Sequence, residues 1–328
     1  MNQEENYIKI IEKAFSKDFP TKNNVNEVGI GDDSAIYEID ETTTKQVVCT
    51  DAIVEGTHFD LKYFSLEDVG WKSIIVNQSD LASMGSNPNY FNVSCGIPPN
   101  FKTEDFKLLT NGMKLACDQY GGVVIGGDIV KSDKIFISVT AIGSLEKSEE
   151  GPDNNFAMLR TNSMPGDYIG VTGSLGNSLA GRMLLNEGKR EKNFSAIHKR
   201  PSPRVKDGLN LVRSGVKACI DISDGLHSDL EKLCKASNVT AHIDVDKIPI
   251  DDRLKVTFPD SFIDMAISGG EDFELLFTLK SINQLPEDYK RQVSVIGKMV
   301  KPNNADLIIY KNTDSEILNP TVTQWKHF

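Results

Sequence analysis

The sequence predicts a two-domain α+β protein. At 328 residues the chain exceeds what one hydrophobic core usually supports. Apolar residues recur with helical spacing at Val69, Ile74, Ile75, Leu81 and Met84, whereas Ile135, Ile137 and Val139 alternate as a half-buried strand does. Between Leu145 and Asn155 the chain turns polar, with Glu149, Glu150, Gly151, Pro152 and Asp153 in succession. The boundary is placed there, giving domains 1–147 and 148–328.

The first half reads as strands at Val28–Ile39 and Gln46–Val54, a helix at Leu66–Met84, a strand at Tyr90–Gly96, a helix at Thr103–Gln119, and strands at Val123–Ile125 and Lys134–Ser144. The second half opens with a strand at Tyr168–Thr172, passes through Gly173, Leu175 and Gly176, and enters a helix near Ser178–Leu185. Another helix follows Pro203. Ala218–Asp244 reads strand, loop, helix, strand, with an N-cap near Asp221–Asp224. The apolar runs Glu274–Leu279, Val293–Ile296 and Leu307–Tyr310 complete a mixed sheet covered by helices.

Subtracting 47 acidic from 36 basic residues leaves a net charge of −11, which disfavours nucleic acid and anionic membrane surfaces. The longest basic stretch, His198–Arg204, is long enough for one phosphate ligand and too short for a polynucleotide backbone. The five cysteines show neither C-x-x-C nor zinc-ligand spacing, which suits a reducing cytoplasm. Met1–Lys17 has the charge alternation of an amphipathic helix rather than a signal peptide, and no run reaches membrane-spanning length.

Carboxylates recur among small residues at element ends: Gly31-Asp32-Asp33-Ser34, Thr50-Asp51, Ser79-Asp80, Gly126-Gly127-Asp128 and Asp221-Ile222-Ser223-Asp224-Gly225. Singly, each is a turn former or a helix cap. Brought together, their repulsion must be relieved by protons or cations, and oxygen donors suit magnesium better than zinc. Magnesium in turn points to a nucleotide. The chain has no G-x-x-x-x-G-K-[ST] segment, no protein-kinase signature, no G-x-S-x-G elbow and no H-E-x-x-H. Gly173–Gly181 is either an anion-binding helix start or a plain strand-to-helix turn.

Seven segments, in order, resemble the thiamine-monophosphate kinases of the aminoimidazole-ribonucleotide-synthetase-like superfamily. They are GIGDDSAI from Gly29, CTDAIVEGTHF from Cys49, NQSDLASMGSNP from Asn77, IGGD from Ile125, KRPSPR from Lys199, DISDGLHSDL from Asp221 and SGGEDFELLF from Ser268. The resemblance implies an N-terminal domain whose mixed sheet forms a barrel-like interface in a homodimer, then an α/β domain, with the active site in the cleft between them. It implies ATP as co-substrate, several Mg2+ ions and thiamine monophosphate as acceptor, in the final step of thiamine diphosphate biosynthesis.

Carried over by position, the magnesium shell is Asp33, Cys49 (through its carbonyl), Thr50, Asp51, Asp80, Asp128, Asp221 and Asp224. Gly127, Asp128, Arg160 and Ser223 fall at ATP-contacting positions, although Arg160 also reads as a surface arginine. His58 and Glu271 fall on the thiamine-phosphate side, where Glu271 either pairs with a cationic heterocycle or caps its strand. Of the terminal aromatics, Phe328 is the better positional match and Trp325 the better stacking surface.

Two relatives in the superfamily and one other class compete with this reading. Selenophosphate synthetases need a reactive Cys or selenocysteine near the N-terminus, and Met1–Val48 contains no cysteine. Aminoimidazole ribonucleotide synthetase fits TDAIVEGTHF and SGGEDFEL less closely. A non-catalytic nucleotide or thiamine-phosphate binding protein is disfavoured because all the carried-over acids are present.

Overall fold

The computed structural model describes residues 7, 9–11, 13–14, 45–146, 157–189, 191–302 and 306–322. The strand expected at Val28–Ile39, the GIGDDSAI segment with Asp33, and the terminal Trp325 and Phe328 lie outside them. The chain forms two compact units, Met1–Leu81 with Ser86–Asn155, and Ala82–Gly85 with Phe156–Phe328.

The first unit runs β1 (Gln46–Val54), α1 (Leu66–Ser83), β2 (Asn87–Ile97), α2 (Thr103–Tyr120), β3 (Val123–Lys131) and β4 (Phe136–Ser144). Its four strands are ordered β1-β4-β2-β3, with β2 and β3 parallel and the other pairs antiparallel. Ile137, Val139 and Ala141 of β4 point into the core and alternate with half-buried residues. Helix α2 buries Phe106, Leu109, Met113, Ala116 and Cys117, one stripe at helical spacing. Tyr7, in the helical N-terminal segment, stacks on Phe106 with ring centroids 4.3 Å apart and donates its hydroxyl to the Phe101 carbonyl at 2.7 Å.

Helix α1 has no solvent stripe from Asp68 to Ser79, so its polar side chains need internal partners. Ser73 Oγ donates to the Gly70 carbonyl, Gln78 Nε2 to the Gly121 carbonyl, and the buried Lys72 ammonium to the His58 carbonyl. Where α1 and α2 cross, a Cβ on Gly70 would meet the Leu109 carbonyl and one on Gly112 the Glu67 carbonyl. Glycine at both positions is what allows this close approach.

The second unit runs β5 (Tyr168–Thr172), α3 (Asn177–Asn186), α4 (Lys192–Lys199), α5 (Val205–Arg213), β6 (Ala218–Ile222), α6 (Leu226–Ser237), β7 (Thr240–Asp244), α7 (Asp252–Thr257), α8 (Phe262–Ser268), β8 (Glu274–Leu279), α9 (Glu287–Lys290), β9 (Val293–Val300), β10 (Ile308–Lys311) and β11 (Ile317–Leu318). The seven-stranded sheet is ordered β11-β10-β7-β9-β5-β8-β6 and is mixed, β7 and β10 being parallel. Every residue of β6 and β8 is buried, as strands covered on both faces must be. The core gathers Ile169, Ile220, Leu230, Leu233, Ala241 and Leu276 around α6, while Ala180, Leu184, Phe194, Leu254 and Met265 form a second cluster among the helices.

Three differences between the fold and the sequence reading bear on the site. Strand β3 continues through Gly126-Gly127-Asp128 to Lys131, because pairing with β2 outweighs the poor strand propensity of Gly and Asp. Helix α4 escaped notice because its buried face, Phe194, Ser195 and His198, is mostly polar and hides the apolar period. The start of α6 is Gly225, with no side-chain cap from Asp221–Asp224. No closed barrel occurs among the described residues, and no described helix is long and apolar enough to cross a membrane.

The helix crossing gives a direct check. Gly112→Ala is expected to cost about 1–3 kcal/mol of unfolding free energy through forced separation of α1 and α2, read from the denaturant midpoint. An unchanged midpoint would mean that the crossing tolerates the extra methyl group.

Candidate functional site

In the first unit the acidic residues are set by the sheet and by α1. The Asp51 amide donates to Asn77 Oδ1 at 3.1 Å, and Cys49 Sγ lies 3.6 Å from the Asn77 carbonyl oxygen. Asn77 is fully buried and donates its own Nδ2 to the Ser73 carbonyl, so it fixes β1 against the helix. Asp80 follows Asn77 by three residues, close to one turn further along α1.

Strand register separates the remaining members. Asp51 pairs with Val139, Val139 with Val93, and Val93 with Gly127, so all four lie on the face that carries the buried valines. Asp128 pairs with Ser94 and belongs to the opposite face, three strand spacings or roughly 14 Å from β1. Thr50 shares that face and its hydroxyl lies 2.9 Å from that of Thr140. A Cβ on Gly127 would collide with the Val93 carbonyl, so the pairing of β3 with β2 requires glycine here. His58 accepts from the Val54 amide through Nδ1 at 3.1 Å and presents its carbonyl to Lys72.

In the second unit the acids divide into buried and accessible. Asp229, on the first turn of α6, is buried; its Oδ2 accepts the amides of Ser223 at 3.0 Å and Asp224 at 2.9 Å. Burial pushes its carboxyl up to about 6, against the Lys232 charge that holds it down. Asp221, the penultimate residue of β6, is buried, whereas the Asp224 side chain is 31% exposed. Lys232 bridges the loop, its ammonium 2.6 Å from Asp224 Oδ2 and 2.7 Å from Asp229 Oδ1.

The Ser268–Phe273 loop is laced to the same turn. The Glu271 amide donates to the Ser223 carbonyl at 2.8 Å and the Phe273 amide to the Ile222 carbonyl at 2.9 Å. Both residues hold positive φ, 65° and 53°, a conformation costly for side-chain-bearing residues and concentrated at functional sites. The three acids that follow one another here part company. Glu271 is partly open and its Oε2 lies 3.6 Å from His198 Nδ1, which also sits 3.0 Å from Ser178 Oγ. Asp272 is buried and accepts the amides of Gly176 at 2.6 Å and Ser178 at 2.9 Å. Glu274 pairs with the Arg204 guanidinium and accepts the Thr172 hydroxyl at 2.6 Å.

Two of the alternatives raised by the sequence are thereby decided. The start of α3 is already capped by a carboxyl group of the protein's own, Asp272, so the Gly173–Gly181 turn offers those amides to the fold rather than to a ligand. Within the basic stretch, His198 is buried and the Arg204 guanidinium is committed to Glu274. Arg160 is exposed, in a short 3-10 turn whose carbonyl accepts the Ser237 hydroxyl at 2.6 Å. Asn77, Asp229 and Asp272 were missed as working residues. Each carried a signal: an Asn amid an apolar helix, a further Asp five residues past Asp224, and three acids within Glu271–Glu274.

Among the described residues no three His, Cys, Asp or Glu side chains gather in a metal-binding group. Magnesium does not require one, since it is commonly held by one or two carboxylates with water and substrate phosphate.

Comparison with known proteins matches residues 31–145 to the family model for AIR synthase related proteins, N-terminal domain, and residues 164–309 to that for the C-terminal domain. A thiamine-monophosphate kinase of Bacillus subtilis (strain 168) is 38% identical over 263 residues, 78% of each chain. The thiamine-monophosphate kinase of Stenotrophomonas maltophilia K279a superposes with a TM-score of 0.78 at 28% identity, covering 94% of this chain and 96% of that one. AaThiL complexed with AMPPCP and TMP superposes with a TM-score of 0.76 at 29% identity, covering 100% and 99%.

Asp272 supplies a test of the loop architecture. Burial, partly opposed by the Ser178 and Gly176 amides, pushes its carboxyl up to about 7. A raised folded-state value means that stability is fully present below the ordinary carboxylate range and is lost as pH rises through about 7. Relative to the non-titrating Asp272→Asn, the wild-type advantage in unfolding free energy should shrink by a few kcal/mol between about pH 4 and 7 and then level off. A difference that stays constant or grows over that range would contradict the assignment.

Proposed function

Because the chain belongs to the thiamine-monophosphate kinases, we propose that it transfers the γ-phosphate of ATP to thiamine monophosphate, yielding thiamine diphosphate and ADP as the final step of thiamine diphosphate biosynthesis. One observation carries the reading: the likeness to AaThiL with AMPPCP and TMP extends over the full length of this chain. The transfer is direct and in-line. No nucleophile elbow or P-loop is present, and a phosphate monoester, with a second pKa of about 6, already attacks as an anion. What the reaction asks of the protein is alignment and charge neutralisation.

Asp33, Thr50, Asp51, Asp80, Asp128, Asp221 and Asp224, with the Cys49 carbonyl, hold the magnesium ions. The donor set is hard oxygen throughout, and Asp224 already carries a cation, the Lys232 ammonium, which supports the fit. Magnesium held by these residues would supply charge neutralisation of the phosphate oxygens. Gly127 and Ser223 approach ATP through their backbone and side chain, and Arg160 offers a planar, bidentate phosphate contact. His58 and Glu271, with Phe328 or Trp325, receive the thiamine phosphate.

The protein acts as a homodimer joined through the sheet of the first unit in a barrel-like interface. Val48 and Val130 lie on the face of that sheet shared by Thr50 and Asp128, and both are at least half exposed. We place it in the cytoplasm, where its five free thiols stay reduced.

Alanine at Asp51, Asp80 or Asp128 is expected to lower kcat for thiamine diphosphate formation by at least about 10²-fold, with the thermal midpoint nearly unchanged. Near-wild-type turnover in any variant removes that residue from the shell. Transfer from ATP chiral at the γ-phosphorus should invert configuration; retention, or labelled phosphate left on the denatured protein, contradicts direct transfer.

A further inference from the structure

The Asp221–Asp224 loop has its shape and its charge set by two different residues. Its shape comes from Asp229, whose buried Oδ2 takes the Ser223 and Asp224 amides. The loop backbone therefore needs no bound ion to define it. Its charge is met by Lys232, which stands on α6 three residues beyond Asp229 and contacts both carboxylates.

The Lys232 side chain is 42% exposed and Asp224 31%, so this end of the bridge is solvent-accessible, while Asp229, at 1%, is not. A long flexible stem lets the ammonium leave Asp224 while remaining on Asp229. A divalent ion on Asp224 would find this fixed positive charge within a few ångströms, so the two cations oppose each other.

We infer that Lys232 is the internal counter-cation of this loop, competing with magnesium for the Asp224 carboxylate and thereby setting the ion concentration at which the site fills. The inference rests on the reading of Asp224 as a metal ligand. Lys232 is on this account a positioning residue; it is not required to touch either substrate.

The test is divalent-ion binding by the full chain without nucleotide, using Mn2+ followed by electron paramagnetic resonance, with Mg2+ competing. Lys232→Met should bind Mn2+ about two- to five-fold more tightly than wild type, the range expected of a partly exposed ion pair. Lys232→Arg, which keeps the charge, should stay close to wild type. The gain should diminish as ionic strength rises, because exposed charges are screened.

Lys232→Met binding no tighter than wild type, while Asp224→Asn binds more weakly, would overturn the competition and leave the metal assignment standing. Asp224→Asn binding as well as wild type would remove Asp224 from the shell, and the inference with it.

Discussion

The second unit depends on carboxylates that never reach solvent. Asp229 gathers the Ser223 and Asp224 amides, Asp272 caps α3, and Glu274 is held between Arg204 and Thr172. Burying an acid is costly unless its oxygens are satisfied, and here each is satisfied by backbone amides, a hydroxyl or a guanidinium. The return on that cost is fixed loop geometry. Strand β6 ends beside the start of β8, and the turn leaving the one is tied to the loop entering the other by the Glu271 and Phe273 amides. Asp224 and Glu271 are thus partly exposed on a backbone that cannot relax away from them.

The first unit solves the same problem with a neutral residue. Asn77 lies in the Asp68–Ser79 stretch of α1, where every side chain is buried, and its carboxamide oxygen accepts the Asp51 amide. That bond joins sheet to helix and fixes the backbone at Asp51. Both units follow one rule: a buried polar group fixes the backbone, and an acid on that backbone is left accessible.

Much of this was legible in the sequence. The strands at Gln46–Val54, Tyr168–Thr172, Ala218–Ile222 and Glu274–Leu279, and the long helices α1 and α2, announce themselves through period and composition because their burial is one-sided or their apolar run continuous. The family was legible because GIGDDSAI, TDAIVEGTHF, DISDGL and SGGEDFEL keep their order and spacing. What was not legible is how similar-looking acids divide their work. Asp224 and Asp229, or Glu271 and Asp272, differ in burial and partners, which depend on contacts between distant segments rather than on local pattern. Strand register, too, is a tertiary fact; nothing in GGD says that Asp128 and Asp51 face opposite sides of the sheet.

On the proposed function, these acids serve phosphate transfer to an acceptor that is already a phosphate monoester. The most direct measurement offers ATP with thiamine monophosphate, free thiamine or formylglycinamidine ribonucleotide in parallel, with magnesium present or chelated, and identifies the products. Magnesium-dependent thiamine diphosphate from the monophosphate alone is the predicted result. Product from either other acceptor, or thiamine diphosphate formed equally well after chelation, would contradict it.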